Sequence, residues 1–230
     1  MKTPITKENI KHHLSYSLWK YILLVVLAVL GWNLVFSATQ YQVPDEKKVV
    51  LGVYAFGDEV NINSYMEQVR VDLMPDMEEM ISMYIMPDEA YGDMILTTRI
   101  AARDCDIYVF PRAQFQSYAA NGAFMPLEQV LPDLLTELES AGVSLSRGKR
   151  ALESKAPEGV AFTTETGSKY QYAIPCADLP GMSAMLQCDT SDMYIGIFYT
   201  TGNDENVIKF FAQFIRDMME EPVVVEIPAE

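Results

Sequence analysis

Histidine is nearly absent: His12 and His13 are the only two, and both precede a long apolar run, so nothing beyond residue 13 carries an imidazole. That excludes from the main body of the chain a Ser-His-Asp or Cys-His catalytic pair and the usual histidine-bearing zinc sites. No Gly-x-x-x-x-Gly-Lys or Gly-x-Gly-x-x-Gly phosphate loop occurs, and there is no internal repeat or low-complexity tract. Cysteine is scarce too. Cys105, Cys176 and Cys188 show no C-x-x-C spacing, and three cannot all pair within one chain. They read as small buried thiols, with a Cys176–Cys188 disulfide as the alternative in an oxidising exterior. Acidic residues are abundant, yet no spacing singles out a glycosidase-like pair. The expectation is a domain that is not an enzyme and uses no cofactor and no metal.

Positive charge is scarce and unevenly placed. Residues 1–40 carry four lysines against Glu8, or +3, so the formal net of −15 leaves −18 for residues 41–230. Nucleic acid is therefore not expected as a partner. Within the first part, Tyr21–Ala38 is an unbroken run of 18 residues, YILLVVLAVLGWNLVFSA. As a helix it spans roughly 27 Å, close to the thickness of a bilayer core. Trp19, Tyr21 and Trp32 suit the interfacial belts, and lysines precede the run while acids follow it. The positive-inside rule then places residues 1–20 in the cytoplasm, residues 21–38 in the membrane and the rest outside the cell. A cleaved signal peptide is the competing reading, because Val35, Ser37 and Ala38 offer small residues near a cut. The 20-residue leader and the bulky Phe36 favour an uncleaved signal anchor.

Residues 39–48 form a polar spacer with Pro44. Val49–Phe56 then reads as a first strand, and Gly57-Asp58 turns it. Ile62, Tyr65, Met66, Val69 and Leu73 follow at helical spacing, closed by Pro75. Methionine falls at every third residue from Met74 to Met86. Soft thioethers suit Cu(I), but Ile81, Met83 and Ile85 alternate like a strand over 79–86, and a period of three keeps no face together. Pro87-Asp88 opens a helix in which Tyr91, Ile95, Thr98 and Ala102 share a face. Cys105–Phe110 is a short apolar run bounded by charge and Pro111. Phe115, Tyr118 and Ala119 follow as a helix that Asn121-Gly122 stops, and Phe124, Pro126 and Leu127 anchor its exit. Three successive strand-helix pairs predict an α/β fold, a doubly wound, mostly parallel sheet with helices on both faces, over about 49–219.

Beyond Leu127 the signals are weaker. Pro132–Leu138 predicts a short helix, and residues 140–157 read as a linker whose Arg147, Lys149, Arg150 and Lys155 form a solvated basic cluster. Val160–Thr164 and Lys169–Ile174 suggest a hairpin around Thr166-Gly167-Ser168, with a strand over 170–175. Asp192–Thr200 holds the last strand, near 193–199. Asn203-Asp204-Glu205 then caps a helix with Val207, Ile208, Phe211, Phe214, Ile215 and Met218 on one face. Pro222 ends it, and 220–230 is a tail in which Val223–Ile227 reads as an edge strand or loose end.

The phrase Asp104–Leu127, DCDIYVFPRAQFQSYAANGAFMPL, resembles the first lobe of extracellular solute-binding proteins of bacterial ABC importers, in which an acid, a hydrophobic strand, a helix and a Gly-x-Phe-x-Pro-Leu exit follow in that order. The resemblance covers roughly Lys48–Leu131 and Lys169–Met218, where Tyr172-Ala173-Ile174-Pro175 is similar to the family's phrase before its second lobe. Here only Cys176–Asp192 intervenes before another strand, so the resemblance implies a single periplasmic-binding-protein-like lobe. No cysteine follows the apolar run, so the family's lipid anchor is replaced by a peptide one. The implied function is weak binding of a small solute or peptide without catalysis. The alternative is an accessory protein whose degenerate lobe meets a membrane or envelope protein.

In open parallel sheets ligands lie beyond the carboxyl ends of the strands. That rule selects Phe56, Gly57 and Asp58 after the first strand, Asp88 and Tyr91 after the second, and Pro111, Arg112 and Gln114 after the third. Arg112 suits an anion, and Tyr91 or Phe56 could stack on a sugar. A pocket of converging polar groups at these loops would favour the solute, and a flat apolar patch the protein partner.

Overall fold

A computed structural model describes residues 7–41, 43–88, 91–154, 162–199 and 203–220. The chain divides into two compact units, Met1–Gln42 and Val43–Glu230. Among its described residues the first holds one helix, α1 (Lys7–Thr39). Its stretch Leu18–Thr39 has 22 residues, of which an 18-residue window has a mean hydropathy of 2.2 with none of it buried. At about 1.5 Å per residue it is long enough to cross a hydrocarbon core of about 30 Å. The helix thus begins well before the apolar run.

The second unit runs β1 (Lys48–Val53), α2 (Val60–Leu73), β2 (Glu79–Tyr84), α3 (Gly92–Ala102), β3 (Ile107–Pro111) and α4 (Arg112–Ala120). It continues with α5 (Leu127–Val130), α6 (Pro132–Ser140), β4 (Lys149–Ala151), β5 (Lys169–Gln171), β6 (Ile174–Pro175), α7 (Pro180–Leu186), β7 (Met193–Ile197) and α8 (Asp204–Met219). Five strands form one sheet in the order β2-β1-β3-β7-β6. β1 pairs parallel with β2 and β3, while β7 is antiparallel to both β3 and β6. The expected mostly parallel sheet is therefore mixed. The reason lies at the end of β3, where the Arg112 amide donates to the Asp192 carbonyl at 3.0 Å. The chain re-enters the sheet at the end where β3 leaves it, so β7 must run back.

Strand residues alternate between the two faces, and the two cores differ in kind. One face sets Val49, Leu51, Val53, Ile107, Val109, Ile195 and Ile197 against Ile62, Met66 and Val69 of α2, Leu186 of α7 and Phe210, Phe211, Phe214 and Ile215 of α8. The other is mostly aromatic: Tyr108, Phe110, Tyr194 and Phe198 meet Phe115 of α4 and Phe124, with Leu96 of α3 at its side. There Phe115 stacks on Tyr194 at 4.8 Å and Tyr108 on Phe110 at 4.9 Å. Helices cover both faces, as the pattern predicts.

Local signals act as their chemistry demands. Gly122 sits at φ 73° and ends α4, with its amide bonded to Ala119 and that of Ala123 to Tyr118. The start of α8 behaves differently. Asn203 stands at the cap position, but its amide donates to the Lys48 carbonyl at 2.9 Å and ties the helix to the start of β1.

Elsewhere tertiary contacts revise the pattern. α3 starts at Gly92 rather than at Pro87, and it buries Gly92 and Leu96, whereas Tyr91, Ile95, Thr98 and Ala102 are exposed. The core face is one position round from the expected one, because Gly92 lets the helix start press on Tyr54 and Met86. The expected strand over 170–175 splits into β5 and β6, since the amides of Tyr172 and Ala173 both turn to the Gly148 carbonyl. β5 pairs with β4, inside the supposed linker, and not with Val160–Thr164; Phe162–Thr164 form no strand, and Val160 and Ala161 lie outside the described residues. In the basic cluster Arg147 pairs with Asp178 and Arg150 with Glu153. Lys155 and Val223–Ile227 lie outside the described residues.

Met74, Met77 and Met80 are core residues and Met86 is exposed, so the methionine series is divided between core and surface. All three cysteines are free thiols. Burial pushes Cys105 up to about 12 and raises Cys176 as well, the behaviour of inert buried thiols.

Candidate functional site

β1 and β2 run parallel in register, with Val53 opposite Tyr84. The residues that follow them therefore leave the sheet at one end, and the first turns of α2 and α3 flank that end. The loop after β1 holds the first three expected site residues. Phe56 is exposed. Gly57 is held by packing: a Cβ there would meet the Tyr84 ring and the Leu186 carbonyl. Asp58 accepts the Val60 amide at 2.8 Å, a carboxylate at the positive start of α2. The neighbouring Tyr84 donates its hydroxyl to the Leu186 carbonyl at 2.8 Å, and burial raises its pKa, with Cys188, Glu59 and Asp58 adding to the rise. Gly57 and Asp58 thus lie beside Tyr84, with Gly57 also at the end of α7, while Phe56 stands in solvent.

On the aromatic face the loops bring together a different group. Asp93, in the first turn of α3, accepts hydrogen bonds from the Tyr54 hydroxyl at 2.9 Å and the Gln114 amide at 3.3 Å. Close by, Thr97 and Tyr118 share a hydrogen bond of 3.2 Å. Burial, followed by the bond to Asp93, pushes Tyr54 up to about 12. Gln114 is the one expected site residue in this cluster. Tyr91 stands exposed at the start of α3, and Arg112 opens α4 with its side chain in solvent.

Sequence reasoning missed Tyr54 and Asp93. Tyr54 is buried inside the apolar run VVLGVYAF, and nothing local distinguishes it from a core residue. Asp93 carried a weak signal, an acid in the first turn of a helix, which serves the dipole equally well.

Several large apolar side chains in these segments are exposed. Phe56 is 65% exposed, Met86 65%, Tyr91 61% and Met94 62%, with Val60 beside them at 53%. All leave the same end of β1 and β2. Asp58, Glu59, Asp88 and Asp93 in the same segments are exposed, and the exposed Arg112 opens α4 at the end of β3. Strand addition along the neighbouring edge is hindered. The Ser82 amide donates to Asn63 at 2.7 Å and the Tyr84 amide to Glu59 at 3.4 Å, so side chains of α2 and its cap occupy outward hydrogen-bonding positions of β2. Among the described residues, no group of three or more His, Cys, Asp or Glu is placed to hold a metal ion.

No family model and no curated protein matches the sequence. Among solved structures, an extracellular solute-binding protein of family 1 from Alicyclobacillus acidocaldarius aligns with 15% identity and a TM-score of 0.33. The alignment covers 59% of this chain and 29% of that one, so the chain spans under a third of its length. A score of that size does not establish a common fold.

Proposed function

We propose that residues 43–220 form the exterior domain of a membrane-tethered protein that works without catalysis, by docking an apolar, basic segment of a membrane or envelope protein at the end of the sheet where β1 and β2 finish. One observation carries this reading: Phe56, Met86, Tyr91 and Met94, in the loops and helix start that follow the carboxyl ends of β1 and β2, are each exposed, and the same segments carry the exposed Asp58, Glu59, Asp88 and Asp93. Scattered apolar residues need no explanation, but large ones gathered at one end of a sheet mark an interaction surface. The acidic rim favours basic side chains on the partner and sets orientation and encounter rate.

A weakly held solute or peptide at the same loops is the second reading, favoured by the Tyr54–Asp93–Gln114 cluster. Its polar groups bond to one another, so a solute must replace bonds already made. Topology belongs to the same proposal: the four lysines ahead of the apolar run keep residues 1–20 inside the cell, and residues 21–38, within the apolar part of α1, anchor the chain uncleaved.

Photo-crosslinking on intact cells separates these readings. A probe at Tyr91 or Met94 should capture one protein, a probe at Glu139 on α6 should not, and Phe56→Asp should abolish capture. Absence of capture, with a thermal-shift hit from a sugar, amino acid or peptide that Gln114→Ala removes, would transfer the site to the solute. A mature N-terminus near Ala38 would replace the anchor with a cleaved signal.

A further inference from the structure

At the opposite end of the sheet, where β1 and β2 begin, lies a hollow of about 590 Å³. Its floor is Val50, Ile81 and Met83, and the last turn of α3 forms one wall. The volume is in the range of small-molecule sites, roughly 300–1,000 Å³. Three cations, Lys48, Arg99 and Arg103, and three acids, Asp45, Glu79 and Asp104, surround it. A simple anion would meet three carboxylates here and a simple cation three positive groups. A ligand that carries one charge of each sign fits both.

The charges are not equally engaged. Lys48 pairs with Asp45 at 3.2 Å and Arg99 with Asp104 at 2.9 Å. The half-buried Glu79 carboxylate makes no hydrogen bond or ion pair among the described residues. Glu79, Ile81 and Met83 alternate along β2 and so share one side of the sheet, which sets this carboxylate at the head of an apolar strip.

Arg103 supplies an independent sign. It closes α3 in the left-handed conformation, φ 59° and ψ 41°, a position that favours glycine or asparagine. A non-glycine residue held there stores backbone strain, and such residues gather at binding sites. Here the strained residue lines the same wall of the hollow as Arg99.

We propose that this hollow binds a zwitterion with an apolar side chain, a free α-amino acid or a dipeptide. Its ammonium lies on Glu79, its carboxylate against Arg99 and Arg103, and its side chain over Ile81 and Met83. The site is separate from the docking surface at the other end of the sheet, and it stands or falls without it.

Calorimetric titration of the full chain in detergent micelles with L-leucine and, separately, L-leucyl-L-leucine tests this, with acetate and butylamine as probes of a single charge. The expected result is binding of at least one zwitterion with a Kd on the order of 1 mM or tighter, and about tenfold weaker binding of acetate and butylamine. The tighter of the two zwitterions identifies the source, amino acid or peptide. Glu79→Gln and Arg103→Gly should each weaken it about tenfold. Arg103→Gly should do so with an unchanged or higher Tm, because glycine relieves the left-handed strain. Failure of both zwitterions to bind overturns the proposal, and so does wild-type affinity in either variant, or equal binding of acetate or butylamine.

Discussion

The two ends of the central sheet are built from the same three parallel strands and present opposite chemistry. Where β1 and β2 finish, large apolar side chains stand in solvent and the polar groups, Tyr54, Asp93 and Gln114, satisfy one another. Where they begin, the apolar residues form a floor and the charges stand above it, with Glu79 unpaired among the described residues. The first end suits a broad surface that excludes water over many side chains, and the second a small ligand held by a few charges. The helices make the difference. α3 starts hard against Tyr54 at one end and stops at the strained Arg103 at the other, leaving the hollow beside its last turn.

Removing what both ends share should have the largest effect. Phe110 of β3 is fully buried in the aromatic cluster, with its ring centroid within 6 Å of those of Phe124 and Phe198. Phe110→Ala should cost about 3–5 kcal/mol in urea denaturation and impair both ends together. Loss at only one end would show that the ends are not coupled through the sheet.

A smaller change isolates the carboxyl end. Gly57→Ala drives a Cβ toward the Leu186 carbonyl, to 2.7 Å, and into the Tyr84 ring. It should destabilise by about 1–3 kcal/mol. A neutral result would mean that this loop can give way, and would return Gly57 to the candidates for ligand contact.

Tyr54→Phe removes the hydroxyl that holds Asp93 and should cost about 1 kcal/mol at neutral pH. It also has a pH signature. The folded state raises this hydroxyl from 10.0 to about 12. A raised folded pKa means stability that is complete below pH 10 and is lost as pH rises toward 12. Tyr65, Tyr84, Tyr108 and Tyr172 are raised by burial as well, so the wild type should weaken across this window with several protons involved. The variant should lose up to one proton of that slope. An identical slope in the two proteins would show that neither burial nor Asp93 holds the Tyr54 hydroxyl above its ordinary range.

Met94→Ser should change stability least, by no more than about 0.5 kcal/mol, because the side chain is on the surface. Reduced capture of a partner at unchanged Tm would set this end apart as a working surface. Clear destabilisation would make Met94 part of the fold.

Much of the scaffold was legible because helical periodicity is local. The series Ile62, Met66 and Val69 and the face Val207, Phe211, Phe214, Ile215 and Met218 lie as their spacing requires. The site was less legible. Of the loop residues chosen by the strand-end rule, Gln114 alone joins the Asp93 cluster, while Gly57 and Asp58 serve packing and helix initiation. A strand-end rule selects positions, and cannot say which polar group finds its partner inside the protein.

What the sequence determined by itself is whatever depends on neighbours along the chain: the apolar span of α1, the stop at Gly122, the helix faces and the absence of histidine chemistry after residue 13. What only the tertiary structure decided depends on residues that meet from far apart. β7 runs antiparallel because Asp192 is held at Arg112, eighty positions away; the strand near residue 172 breaks because Gly148 takes its amides; and Tyr54 pairs with Asp93 because the start of α3 packs on the end of β1. The physical reason is common to all three: a backbone or side-chain polar group must be satisfied somewhere, and short-range pattern cannot say where the partner comes from when many distant candidates would serve.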